Sequence, residues 1–119
     1  MDELRIIACF AALAQDTRLA AFRLLVRYEP DGLAAGDVAR LLDVPHNTMS
    51  AHLAVLARAD LVISRRESRS IIYRAHLGPV QQAIQFLVRD CCNGRPEVCQ
   101  PLLDSLADET SLTQQQPLP

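Results

Sequence analysis

Apolar residues recur along the first half of the chain at the three-and-four spacing of a helix face. Residues 3–14 carry a broad apolar face, and Leu19, Phe22, Leu25 and Val26 repeat the spacing in a second helix from Arg18 to about Tyr28, with Asp16 and Thr17 as its expected caps. Glu29-Pro30-Asp31-Gly32 reads as a turn. Val38, Leu41 and Leu42 mark a shorter helix from about Ala35 to Leu42, which Asp43-Val44-Pro45 breaks. Met49, Leu53 and Leu56 then fall at i, i+4 and i+7 of a helix that runs to about Ala59. From Leu61 the pattern changes. Leu61-Val62-Ile63-Ser64 and Ser70-Ile71-Ile72-Tyr73 are rich in β-branched and apolar residues and enclose polar Arg65-Arg66-Glu67-Ser68-Arg69, which predicts a two-stranded hairpin with a cationic tip. Pro79 opens a last long helix, Val80 to about Asp90, with Val80, Ile84, Leu87 and Val88 apolar.

Opposite its apolar stripe, the helix that starts near His46 presents His46, Asn47, Thr48, Ser50 and Ala51. All are short or flat, and most donate or accept a hydrogen bond. Such a face fits closely against base edges in a DNA major groove. Helix, tight turn and second helix form a helix-turn-helix, although the same spacing also describes an ordinary helical hairpin in a small all-α core. A hairpin placed after it acts as a wing that reaches the phosphate backbone. The expected fold class is α+β, mainly α: a winged helix-turn-helix of five to six helices with one two-stranded wing.

At 119 residues, half of them hydrophobic, the chain buries a real core. No apolar run approaches the roughly 18 residues that span a bilayer, and no signal peptide is visible, so a cytoplasmic protein without a membrane partner is expected. The net charge of −2 argues against a general polyanion binder, but its distribution matters more. All twelve basic residues are Arg, and Arg65, Arg66, Arg69 and Arg74 lie within ten residues of one another. Local clustering on a near-neutral chain suits a site-specific DNA binder. The first and last helices are too apolar for the ends of a monomer, which predicts a homodimer through both and two recognition helices about one DNA turn apart on a pseudo-palindromic site. No nucleophile–base–acid set and no phosphate-cradling loop is present, so neither an enzyme nor a catalytic cofactor is expected. Residues 1–92 are expected to form the DNA-binding and dimerisation domain, 93–109 a cysteine-containing loop with a short helix, and 110–119 a disordered tail.

These residues carry a family resemblance. Phe10-Ala11-Ala12-Leu13-Ala14-Gln15-Asp16-Thr17-Arg18-Leu19 resembles the "ALADPTRL" opening of the ArsR/SmtB-type winged-helix repressors. Thr48-Met49-Ser50-Ala51-His52-Leu53-Ala54-Val55-Leu56 is similar to their "TVSRHLKVL" recognition helix, and Ala59 to Tyr73 resembles their "AGLV…RREGRWVYY" wing. The resemblance covers roughly residues 5 to 92. It implies a cytosolic homodimer that binds double-stranded operator DNA and lets go when an effector binds. Carried over by position, the DNA contacts fall on His46, Asn47, Thr48, Ser50 and Ala51, with Arg65, Arg66 and Arg69 on the wing. His52 is placed to reach a phosphate or to pack between helices, and Arg74 to contact DNA or pair with an acid. The chain departs from the family at several points. Leu33 to Asp37 holds no cysteine where arsenic sensors carry one site. The last helix offers Gln81, Gln82 and Gln85 where zinc sensors carry histidines. Pro45 and Ala51 replace the usual Ser and basic residue.

Of the four cysteines, Cys91, Cys92 and Cys99 lie within nine residues, while Cys9 sits alone on the first helix and reads as core. Reduced, clustered thiols point to metal binding or redox chemistry. Asn93-Gly94-Arg95-Pro96 can turn the chain so that Cys99 meets Cys91 and Cys92, and Arg95 favours their thiolates. Three sulfurs without an evident fourth ligand suit a soft trivalent ion, As(III) or Sb(III). Zinc, cadmium or lead at the same thiolates, and redox sensing through a Cys91–Cys99 or Cys92–Cys99 disulfide, are the alternatives. The segment also resembles the C-terminal vicinal-cysteine site of one branch of the arsenic-responsive repressors, which implies As(III) or Sb(III) as effector.

Overall fold

The computed structural model describes residues 3–90 and 95–107. The elements run α1 (Glu3–Leu13), α2 (Asp16–Arg27), β1 (Leu33–Ala34), α3 (Ala35–Leu41), α4 (His46–Arg58), β2 (Val62–Glu67), β3 (Ser70–Ala75), α5 (Gly78–Gln85) and α6 (Pro96–Ala107), with a π-helical turn, Phe86–Asp90, continuing from α5. This is a mainly helical winged helix-turn-helix with an antiparallel sheet in the order β1-β3-β2. The chain divides into two compact units, the first ending at Ala83 and the second beginning at Ile84.

The first unit is built on the apolar stripes. Leu25 of α2, Val38 of α3, and Met49, Leu53 and Leu56 of α4 are fully buried, with Leu61 and Val62 closing the core at the root of the sheet. The cap of α2 differs from expectation. Gln15 takes it: its side chain accepts from the Arg18 N–H at 2.8 Å. Asp16 is instead the first helical residue, accepting from the Thr17 N–H at 2.7 Å, where its charge meets the positive end of the helix dipole.

Both α3 and α4 end on an aspartate in the left-handed region, Asp43 (φ 55°) and Asp60 (φ 62°). Behind Asp43, the Val44 N–H donates to Ala39 C=O at 2.9 Å and the Asp43 N–H to Arg40 C=O at 3.2 Å. Behind Asp60, the Leu61 N–H donates to Leu56 C=O and the Asp60 N–H to Ala57 C=O, each at 3.0 Å. This paired pattern satisfies the last carbonyls and reverses the chain sharply. It is what converts two helices into a tight helix-turn-helix.

The wing is larger than the expected two-stranded hairpin. A third strand, β1, pairs Leu33 with Tyr73 and Ala34 with Ile72. Two residues carry no readable alternation, which is why β1 left no pattern. Its approach depends on Gly32, whose φ is +79° and where an added Cβ would lie 2.5 Å from the Tyr73 carbonyl oxygen. Strand β2 also runs further than predicted. Arg65 pairs in register with Ile72 and Arg66 with Ile71, leaving only Ser68 and Arg69 in the turn.

Among the described residues no helix is long and apolar enough to cross a membrane. Leu4, Ile7 and Phe10 of α1 are exposed, as are Val98, Leu102 and Leu106 of α6, each set at helical spacing. The apolar excess expected of the first helix is therefore on the surface, whereas on the expected last helix, Val80 to about Asp90, Leu87 is exposed and Val88 is buried. The expected tail, 110–119, lies outside the described residues.

Candidate nucleic-acid interface

Helix α4 sorts its residues by depth. Met49, Leu53 and Leu56 are buried; His46, Asn47, Thr48 and Ala51 are exposed; Ser50 and His52 are half-buried between the two faces. The exposed first turn consists of small or planar polar groups and follows directly from the Asp43 turn. Pro45 stands at the N-cap and makes no side-chain capping bond.

Strand alternation divides the three wing arginines. Residues paired in register share a face of the sheet, so Arg66 shares one with Ile71, and the next pair on that face is Ser64 with Tyr73. Ile71 and Tyr73 line a cleft of about 490 Å³ together with Gly36, His46, Ser50 and Arg69. The recognition helix and wing thus border one groove, with Arg69 at its edge. Arg65 belongs to the opposite face with Glu67. There its Nε donates to Glu67 Oε2 at 2.6 Å and its Nη2 to the Asp31 carbonyl at 3.1 Å. Arg66 and Arg69 have no carboxylate partner among the described residues.

Two further positions take definite roles. Arg74 pairs with Glu29, Nη2 to Oε2 at 2.8 Å, which ties β3 to the turn after α2; the hydrogen bond and charge of Glu29 hold the guanidinium pKa above its ordinary value. It is thus the acid-paired strand residue of the two readings. His52 approaches Arg18 of α2, Nδ1 to Nη1 at 3.4 Å. Sequence reasoning missed Arg18, Ser70 and Tyr73 at this surface. Arg18 lies 34 residues from His52, and no local pattern connects them.

Of the expected metal ligands, Cys91 and Cys92 lie outside the described residues, and Cys99 is placed only by its backbone, in the first turns of α6. Arg95, the expected activator of the thiols, pairs with Glu97 at 3.0 Å. That carboxyl is held below its ordinary value by its own backbone N–H first and by Arg95 second. Cys9 is buried, and desolvation raises its pKa.

A helix-turn-helix domain family matches residues 13–65. The transcriptional activator HlyU of Vibrio cholerae serotype O1 is 29% identical over 86 residues, covering 72% of this chain and 77% of HlyU. Among solved structures, an ArsR-like transcriptional regulator from Rhodococcus sp. RHA1 superposes with a TM-score of 0.67 at 23% identity, covering 97% of this chain and 96% of that one. The homodimeric winged helix-turn-helix DNA-binding domain of a possible ArsR-family regulator from Mycobacterium bovis gives 0.56 at 22% identity, covering 96% and 88%. These likenesses show the winged helix-turn-helix fold.

Proposed function

We propose that this chain is a cytoplasmic transcriptional repressor of the ArsR/SmtB type that holds a pseudo-palindromic operator as a homodimer and releases it when As(III) or Sb(III) binds Cys91, Cys92 and Cys99. One observation carries the DNA-binding part: α4 buries its apolar stripe and leaves His46, Asn47, Thr48 and Ala51 exposed beside a wing that carries Arg66 and Arg69. In a major groove Asn47 suits the donor–acceptor edge of adenine, Thr48 and Ser50 suit bases or phosphates, and Ala51 suits a thymine methyl. Arg66 and Arg69 serve phosphates or a narrow minor groove, and Arg65 joins them by exchanging Glu67 for a phosphate. Exposed Leu4, Ile7 and Phe10 supply an apolar surface for a second copy, and the homodimeric state of the M. bovis domain supports that assembly.

The effector part rests on ligand chemistry. Three thiolates within nine residues match a soft trivalent ion that takes three sulfurs. Bound there, the ion draws the three sulfurs to one point, and DNA affinity changes by as much as the two states differ in fit to the operator. A difference of about 1.4 kcal/mol is tenfold in affinity.

The test is a titration of reduced protein, bound to a fluorescent duplex copied from the DNA upstream of its own coding sequence, with arsenite, antimonite, zinc and cadmium. Release by arsenite or antimonite near one equivalent per chain is expected. Release only by zinc or cadmium moves the site to four-coordinate chemistry, and release only by an oxidant makes the cysteines a redox switch. Absence of DNA binding overturns the whole reading.

A further inference from the structure

We propose that Arg18 is a positioning residue for DNA binding, which presents His52 to a phosphate as a neutral donor through Nε2–H. The inference rests on the DNA-binding reading and adds a role to a residue outside the recognition helix and wing.

Arg18 is held on three sides. Its backbone N–H donates to Gln15 Oε1 at 2.8 Å, its Nε donates to the Ala12 carbonyl at 2.7 Å, and its Nη1 lies 3.4 Å from His52 Nδ1. The Nε bond aims the guanidinium from α2 back over the end of α1, so its remaining donors have a fixed direction. A guanidinium has only donors and keeps its proton in proteins. Facing it, Nδ1 can only accept. An accepting Nδ1 makes the imidazole neutral and leaves Nε2–H as its single donor. His52 stands one turn after exposed Thr48, half-buried at the border of the presented face, where a backbone phosphate rather than a base edge comes within reach. No carboxylate pairs with Arg18 among the described residues, so its charge also remains available to attract a phosphate toward that donor.

This arrangement predicts how substitutions behave. Gln carries an amide nitrogen near the position of Nε2, whereas Asn carries one near Nδ1. In the anisotropy assay on the same upstream duplex, His52→Gln should bind within about threefold of wild type, and His52→Asn should bind about tenfold more weakly, the loss of one hydrogen bond to a charged group. Because the lost donor is neutral, the salt dependence of His52→Asn should keep the wild-type slope, whereas losing a charged contact lowers the slope by about 0.9. Arg18→Met should weaken binding comparably, and combining it with His52→Asn should add little. If Arg18→Met does not fold, the nitrogen-15 imidazole spectrum of the wild-type protein decides, since His52 must show protonated Nε2 and unprotonated Nδ1. Protonation at Nδ1, equal behaviour of the Gln and Asn variants, or a lowered slope for His52→Asn would each overturn the inference while wild-type binding upheld the DNA-binding reading. Failure of the wild type to bind the duplex would overturn both.

Discussion

Glu67 holds Arg65 in the free protein: the guanidinium Nε reaches the Glu67 carboxylate at 2.6 Å, two residues along the same strand and on the sheet face away from the α4 cleft. The pair is exposed, and exposed pairs contribute at most about 1 kcal/mol, so a phosphate can replace Glu67 at little cost. Arg66 and Arg69 need no such exchange. Arg66→Ala and Arg69→Ala should therefore each lower the slope of log affinity against log salt by about 0.9. Arg65→Ala should lower it less, and Glu67→Gln should strengthen binding at low salt. Equal slopes for all three arginine variants would show that the face of the sheet does not matter. Salt-dependent anisotropy reads all four variants.

Asp43 sits at φ 55° in the turn between α3 and α4, and among the described residues its side chain has no partner to compensate its backbone. A left-handed conformation costs an L-residue about 1–2 kcal/mol, which glycine avoids. Asp43→Gly should stabilise the protein by up to about 1 kcal/mol after the extra chain entropy of glycine is subtracted. A Tm raised by a few degrees, read by calorimetry, is the expected result. An unchanged or lower Tm would mean that the carboxylate contributes more than its backbone costs.

Gly32→Ala should act in the opposite direction. The new methyl would stand 2.5 Å from the Tyr73 carbonyl oxygen and 2.8 Å from Arg74 Cγ, at a φ of +79°. Clash and strain together should cost about 3 kcal/mol and loosen β1 from β3. Chemical denaturation measures the loss, and faster amide exchange at Leu33 and Tyr73 locates it.

Burial raises the Cys9 pKa, so at pH 7–8 its thiol stays protonated and is a poor nucleophile. In the native protein iodoacetamide should leave Cys9 unmodified until denaturant is added. Peptide mass mapping reads the outcome, and rapid native labelling of Cys9 would show that α1 opens readily.

Cys91→Ser, Cys92→Ser and Cys99→Ser should each bind the upstream duplex like wild type and fail to release it with arsenite. A variant that still released normally would remove its cysteine from the site.

Periodicity was enough to place the two helices of the helix-turn-helix, because Met49, Leu53 and Leu56 repeat at the pitch of a helix and any face they define must be buried; the choice over an ordinary helical hairpin came from the family resemblance. The same holds for the wing, where β-branched runs flank a polar tip, and for the apolar surplus of α1, which is indeed exposed at Leu4, Ile7 and Phe10. What escaped sequence reasoning depended on partners distant along the chain. Strand β1 exists only because Gly32 lets the backbone approach Tyr73, and two residues carry no period of their own. Gln15 outcompetes Asp16 as the cap because of where α2 begins, a matter of a single residue. Arg65, Arg66 and Arg69 look equivalent in a row of cations, and only the pairing register with Ile71 and Ile72 assigns Arg65 and Arg66 to opposite faces. Arg18 meets His52 because α2 packs on α4, so tertiary packing, not local sequence, decided that contact.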